Sequence, residues 1–469
     1  MGDRHSVTGV DRLGPAGLRV VEHAETEHVE LIRFLYADHG GVIRGKATSR
    51  SRLAERLVSG IGHTVAMMAM NMLDQLQEVE RLGPVGEVRL VPDPATFVAL
   101  PYAPGAAAML SDLRQVDGSP WPACPRTFLR EAIATLAGEG LVAVAAYEPE
   151  FTLGRRVADP GGGLDRLVPV DDSLCYATTG FDQAHDYTMS LIHAMETQGL
   201  RVEHYHPELG HGQQELSIRH ASAMRAADNQ VLYRETVRGV ALRAGLWASL
   251  APKPLADQAG NGAHLHLSLW DPDLRTNLFS DPADRHGLSA TAYRFIGGLI
   301  AHLPALTALT CGSVNSFRRL APKMWSSAYA CYGMDNREAA VRICSPVGED
   351  AAASANLEIK PSDSSANPYL SLGAVIHAGL DGIRRDLDPG EALDVDPATL
   401  GESRLSALGV RRLPSTLDEA LDALEADDLL MDALGPLRGS AYLAVKRSES
   451  RAFAAEDLSY ELFHHMRVF

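Results

Sequence analysis

The chain has 469 residues, long enough for two or three domains around a large buried core. Hydrophobic residues make up 46% and charged residues 22%, the balance of a globular protein, and no run of about 18 apolar residues marks a membrane span. The formal charge of −17 argues against nucleic-acid and anionic-membrane partners; it suits solubility first and attraction of a cationic substrate second.

Residues Met1 to about Glu25 are Gly-rich and polar, lack the apolar core of a secretory signal, and are expected to form a mobile lead-in. Val29 to Tyr36 has the composition of a strand, and Asp38-His39-Gly40-Gly41 followed by Val42 to Lys46 predicts a hairpin. Two short apolar runs between Val88 and Leu100, interrupted by Pro92 and Pro94, complete a small β-rich domain over residues 26–113. From residue 114 to 469 the pattern is α+β. Apolar residues at three- and four-residue steps predict helices over Thr127–Gly138, Gln183–Gln198 and Ala221–Ala244. Pro414-Ser415 is expected to open another, with Asp418 as its capping acid and Leu417, Leu421, Leu424 and Leu430 as its core stripe. Arg384 to Ser403, acidic with two prolines, is the clearest long loop. Five widely spaced cysteines (Cys124, Cys175, Cys311, Cys331, Cys344) without a CxxC pair fit the reduced thiols of a cytoplasmic protein.

Chemistry-bearing residues gather in four places. In Tyr147-Glu148-Pro149-Glu150-Phe151, strand alternation turns both glutamates to one side, which suits either a divalent cation or a solvated strand edge. Glu208 and Glu215 flank a glycine-rich turn, again either a carboxylate pair or an acidic loop. In Gly260-Asn261-Gly262-Ala263-His264-Leu265-His266-Leu267-Ser268, alternation places His264, His266 and Ser268 on one strand face, able to meet a metal or phosphate. Arg318, Arg319, Arg337 and Arg342, with Glu358 and Lys360 close behind, could grip a carboxylate or neutralise a phosphoryl group; each alone could equally be a surface ion pair. No GxxxxGK[ST] run occurs, so a phosphate site would not be of the P-loop kind.

Together with Asn315 to Leu320, Asp335-Asn336-Arg337, Leu357 to Lys360 and Ala366 to Leu370, these stretches resemble the glutamine synthetase superfamily in order and spacing over residues about 28 to 469. The resemblance implies a small β-grasp-like N-terminal domain and a catalytic domain with a curved antiparallel sheet flanked by helices. It implies homo-oligomeric rings, hexamers or dodecamers, with sites between neighbouring subunits. Two or three magnesium or manganese ions per site are implied, one held by Glu150, Glu208 and Glu215, another by Glu148, His264 and Glu358. His266, Ser268 and Arg342 would contact the nucleotide, Gly260, Arg319 and Lys360 the glutamate, and Arg337 the transferring phosphate. The implied reaction joins the side-chain carboxylate of L-glutamate to an amine through γ-glutamyl phosphate, at the expense of ATP.

Two departures point to an organic amine. Six residues after Arg319, where the ammonia-using enzymes carry a flap glutamate that binds and deprotonates ammonium, stands Trp325. Their N-terminal Asp-Gly-Ser-Ser segment is replaced by Met67-Met68-Ala69-Met70-Asn71-Met72-Leu73-Asp74. Lys360 also stands where those enzymes usually have arginine, and the loop from Arg384 to Ser403 has no tyrosine for adenylylation. The alternatives are an authentic glutamine synthetase using ammonia and a non-catalytic ring protein; six ligand-type residues at family positions argue against the second.

Overall fold

The computed structural model describes residues 13–347 and 350–469. Its smaller sheet contains β1 (Leu31–Ala37), β2 (Ile43–Ser49), β3 (Ile61–Thr64), β4 (Glu87–Pro92), β5 (Val98–Ala99) and β6 (Ala106–Arg114). The order is β2-β1-β6-β4-β3, with β5 against β6. The strand β6 lies between β1 and β4 and is buried along nearly its whole length, which explains its unbroken small and apolar run Ala106 to Leu110.

The predicted hairpin forms, and its turn docks the small domain onto the large one. Asn367 donates from its side chain to the carbonyls of Ala37 and Asp38, Arg234 to that of Gly41, and Lys446 to that of Gly40. Gly41 has φ +83, and a Cβ there would lie 2.0 Å from the Ser365 carbonyl, so this contact requires glycine twice over.

The expected lead-in is corrected. Pro15–Thr26 is a helix, started by a proline whose fixed φ suits the first turn, and it buries Gly17, Val20 and Ala24 along one side. Residues 1–12 of the expected lead-in lie outside the described residues.

The larger sheet takes β7 (Val142–Val157), β8 (Arg166–Pro169), β9 (Val202–Pro207), β10 (Gln213–Ile218), β11 (Ala221–Ser222), β12 (Trp247–Ser249), β13 (Ala263–Trp270), β14 (Tyr329–Met334), β15 (Ala339–Ile343), β16 (Leu357–Ile359) and β17 (Arg411–Arg412). Its path is β17-β14-β15-β16-β13-β7-β10-β9, with β8, β11 and β12 also on β7. All pairs are antiparallel except β14 with β15. The fold is thus α+β, with a large sheet flanked by helices. The central β7 alternates: Ala143, Ala145 and Tyr147 enter the core, where the Tyr147 hydroxyl meets Ser371 and donates to the Pro368 carbonyl of the helix Pro368–Arg384. Its even-numbered residues, Glu148 and Glu150 among them, take the opposite face.

Several helix boundaries shift from expectation. Gln183–Gln198 becomes two helices, Thr178–Gln183 and His185–Thr197, broken at Ala184. The helix expected from Pro414 spans Leu417–Glu425 and is capped by Thr416, whose hydroxyl accepts from the Glu419 N–H while the Glu419 carboxylate accepts from the Ser415 N–H. Leu430 belongs to the next helix, Asp428–Ala454. All five cysteines are free.

The helix Ala290–Thr310 is long and apolar enough to cross a membrane, but 72% of the relevant window is buried inside the fold, as in a core helix. It carries a buried polar clamp. His302 meets Asp427 through Nδ1 (2.7 Å) and Asp381 through Nε2 (3.1 Å), joining three helical elements. Burial disfavours the charged ring, yet Asp427 and then Asp381 outweigh it and raise the His302 pKa above its ordinary value. A raised histidine stabilises the fold fully below its unfolded pKa of about 6.5 and loses that contribution as pH climbs through the raised folded value. Denaturant melts of His302→Gln are therefore expected to show a loss of about 2 kcal/mol at pH 6. The gap to the parent chain should shrink as pH rises beyond the raised pKa.

Candidate active site

Cross-strand register assembles the site. Across β7 and β13, Glu148 pairs with His264; across β13 and β16, His266 pairs with Glu358; and across β15 and β16, Arg342 pairs with Glu358. On the other side of β7, Glu150 pairs with Glu215 of β10, and Glu215 pairs with His206 of β9. Five neighbouring strands thus present one row of carboxylates and imidazoles on one sheet face.

One end of the row is a triad of the buried His264 and Glu358 and the part-buried Glu148. His264 Nδ1 lies 3.2 Å from Glu358 and 3.7 Å from Glu148, with one donor atom from each residue within 4.8 Å of the others. The Arg319 guanidinium lies 3.0 Å from His264 Nε2 and holds the ring with Nδ1 aimed at the carboxylates. Burial, then the Lys360 ammonium, push the His264 pKa down to about 4. Against burial, Lys360, the two histidines and Arg342 bring Glu358 down to about 2. A neutral imidazole beside two ionised carboxylates is a donor set that fits a divalent cation.

The second cluster is carboxylate-rich. Glu150 is buried, and its Oε2 accepts from the Gln213 side chain (2.6 Å) and the Gly262 N–H (3.0 Å). Burial, reinforced by Glu215 and Glu208, pushes its carboxyl up to about 8. Three carboxyl groups crowded together also fit a cation site, since an ion between them would favour their ionised forms. His204 and His206, not singled out in the sequence, stand here too. His204 lies 3.6 Å from Glu148 and 3.4 Å from Glu215; His206 lies 2.8 Å from Glu208. The signal for them was the alternation His204-Tyr205-His206 leading into Pro207-Glu208.

Behind the triad, Arg319 is buried under the glycine loop and also reaches the carbonyls of Ser362 and Lys360. A Cβ at Gly262 would lie 2.6 Å from the Arg319 guanidinium and 2.8 Å from His264 Nε2, and one at Gly260 would meet the Pro252 carbonyl at 2.4 Å. Gly262→Ala is expected to displace both the arginine and the histidine. Steady-state assays should show at least about a tenfold loss in kcat/KM, with the fold kept.

Beyond the triad opens a cavity of about 520 Å³ whose lining includes Glu148, His204, His266, Ser268, Trp270 and Asn356. His266 Nδ1 meets the Asn356 side chain at 2.9 Å, and the Ser268 hydroxyl accepts from the Trp270 indole. Arg342 is turned to Glu358, with which it forms an ion pair, and Lys360 lies 3.4 Å from the same carboxylate. Arg337 is exposed in the turn between β14 and β15. Trp325 is 59% exposed at φ +54, and its backbone N–H donates to the buried Glu338 carboxylate (2.8 Å).

The family model "Glutamine synthetase, catalytic domain" matches residues 122–464, and "Glutamine synthetase N-terminal domain" matches residues 15–121. The chain is 39% identical to a gamma-glutamylpolyamine synthetase of Streptomyces coelicolor, over 88% of each chain. It is 32% identical to a glutamine synthetase of Halobacterium salinarum, over 96% of each. A crystal structure described as a novel glutamine synthase homolog superposes with a TM-score of 0.83 at 34% identity, covering 94% of this chain and 99% of that one.

Proposed function

Because the chain belongs to the glutamine synthetase family of ligases, we propose that it joins the γ-carboxylate of L-glutamate to an organic amine using ATP. The observation that carries the choice of amine is Trp325, an exposed indole at the position where an ammonia-using flap would place its acid. An indole takes no proton and offers no counter-charge to ammonium, but it packs on an alkyl chain and attracts a cation through its π face. The 39% identical relative, named for a polyamine product, supports the same reading.

In this proposal Glu148, His264 and Glu358 hold one magnesium or manganese ion, and Glu150, Glu208 and Glu215 another. Bound there, the ions would supply positive charge to the phosphate oxygens. His266, Ser268 and Arg342 meet the nucleotide in the cavity. Arg319 and Lys360, with the backbone at Gly260, receive the carboxylate end of glutamate. The glutamate γ-carboxylate attacks the γ-phosphate of ATP, forming γ-glutamyl phosphate and releasing ADP; the neutral amine then attacks the acyl carbon, expels phosphate, and passes its extra proton to that departing phosphate. Arg337, exposed on its turn, closes over the transferring group to neutralise it. The same reading makes the active assembly a homo-oligomeric ring whose neighbouring subunits complete each site, a mass that light scattering measures directly.

The test is phosphate release from ATP with glutamate and magnesium across ammonium, methylamine, ethanolamine, putrescine, spermidine and aniline. Stimulation by one organic amine well above ammonium is the expected result. Preference for ammonium, the activity in the name of the 32% identical relative, would make this chain a glutamine synthetase that uses another acceptor for ammonium.

A further inference from the structure

The pair His204 and His206 has no part in the reaction proposed above, yet its ring nitrogens gather with a Glu215 oxygen at one point. Both sit on β9 two residues apart, so they share a face, with rings stacked 5.8 Å apart and 10° from parallel. Their Nε2 atoms lie 3.4 Å and 3.8 Å from one oxygen of Glu215, and the three donor atoms all lie within 4.8 Å of one another. A tetrahedral zinc ion with bonds of about 2.1 Å separates its ligands by about 3.4 Å, so the donor spacing fits such an ion once one imidazole turns out of the stack. Glu215 is buried and fixed by its strand, while His204 is half exposed and free to adapt.

We propose that His204, His206 and Glu215 form a transition-metal site of the zinc class, distinct in chemistry from the hard-cation sets but sharing Glu215 with one of them. Two imidazoles and one carboxylate favour zinc, cobalt or nickel over magnesium, whereas an all-carboxylate set favours magnesium or manganese. An ion here draws Glu215 away from Glu150 and Glu208. Zinc therefore competes with the activating cation through one shared ligand, and turnover falls as it binds; this last consequence, unlike the site itself, rests on the ligase reading.

The experiment measures zinc on the full chain by equilibrium dialysis and atomic emission in millimolar magnesium, without nucleotide, glutamate or amine. The expected result is one tightly held zinc per chain, weakened at least tenfold by His204→Gln and by His206→Gln and unchanged by His264→Gln. Cobalt in place of zinc should give the strong visible absorption of a tetrahedral ion, lost in the same two variants. His204 is half exposed, so its variant is expected to keep the parent circular dichroism and melting temperature. The proposal is overturned if no zinc survives magnesium competition, or if His264→Gln removes it while the His204→Gln, His206→Gln double variant retains it. Because no turnover is read, failure here leaves the ligase reading untouched, and failure of the amine panel leaves this site untouched.

Discussion

Glu150→Ala is expected to reduce glutamate-dependent phosphate release from ATP by at least about a thousandfold while leaving the protein folded. The carboxylate sits where β7 and β10 pair, opposite Glu215, and is oriented by Gln213 and the Gly262 N–H. Its removal takes one of three clustered negative charges from the proposed cation set. The stability effect has two opposing parts. Two N–H donors lose their acceptor, costing about 1–3 kcal/mol. Relief of burial and of repulsion from Glu215 and Glu208, which push the Glu150 carboxyl up to about 8, acts the other way. The melting temperature should therefore move by only a few degrees while activity collapses, and magnesium binding followed by calorimetry should weaken in parallel. Near-normal turnover in this variant would refute the metal assignment of Glu150, and the same outcome in His264→Ala would refute that of the triad.

Much of this site was legible because strand alternation is a strict rule. Once Tyr147 to Phe151 and Ala263 to Ser268 are taken as strands, Glu148, Glu150, His264, His266 and Ser268 must share faces, and the register brings them together. What alternation does not supply is the partner strand. His204 and His206 had no apolar alternation strong enough to mark β9, whose side chains are half exposed, so they became visible only once β9 paired with β10. Likewise no spacing shows that Arg342 turns to Glu358 or that Arg319 bonds His264, because both contacts join residues through the sheet or a loop.

The fold failed to be legible where tertiary contacts override weak local signals. Pro15–Thr26 has a glycine at its N-cap with no side-chain cap and buries only Gly17, Val20 and Ala24, so its helicity comes from packing on the small domain and not from propensity. The capping pair Thr416 and Glu419 was one residue away from the expected Ser415 and Asp418, a shift typical where several capping residues adjoin.

Trp325→Glu is the second large effect, a change of substrate preference. The residue is 59% exposed and its fold contact is made by its backbone N–H, which Glu338 accepts, so the substitution should alter stability by less than about 0.5 kcal/mol. A carboxylate at this position restores both properties that the indole lacks, a counter-charge for ammonium and a base for its proton. Ammonium-stimulated phosphate release is expected to rise at least about tenfold, and kcat/KM for the preferred organic amine to fall at least about tenfold as the apolar and cation–π surface is lost. Trp325→Phe keeps an aromatic face without an acid and should lose organic-amine activity only a fewfold, with no gain for ammonium. That contrast separates the chemistry of the side chain from disturbance of the loop, because both variants remove the same indole. If the amine-to-ammonium ratio stays the same in Trp325→Glu, the residue does not touch the amine and does not set the choice between amine and ammonium.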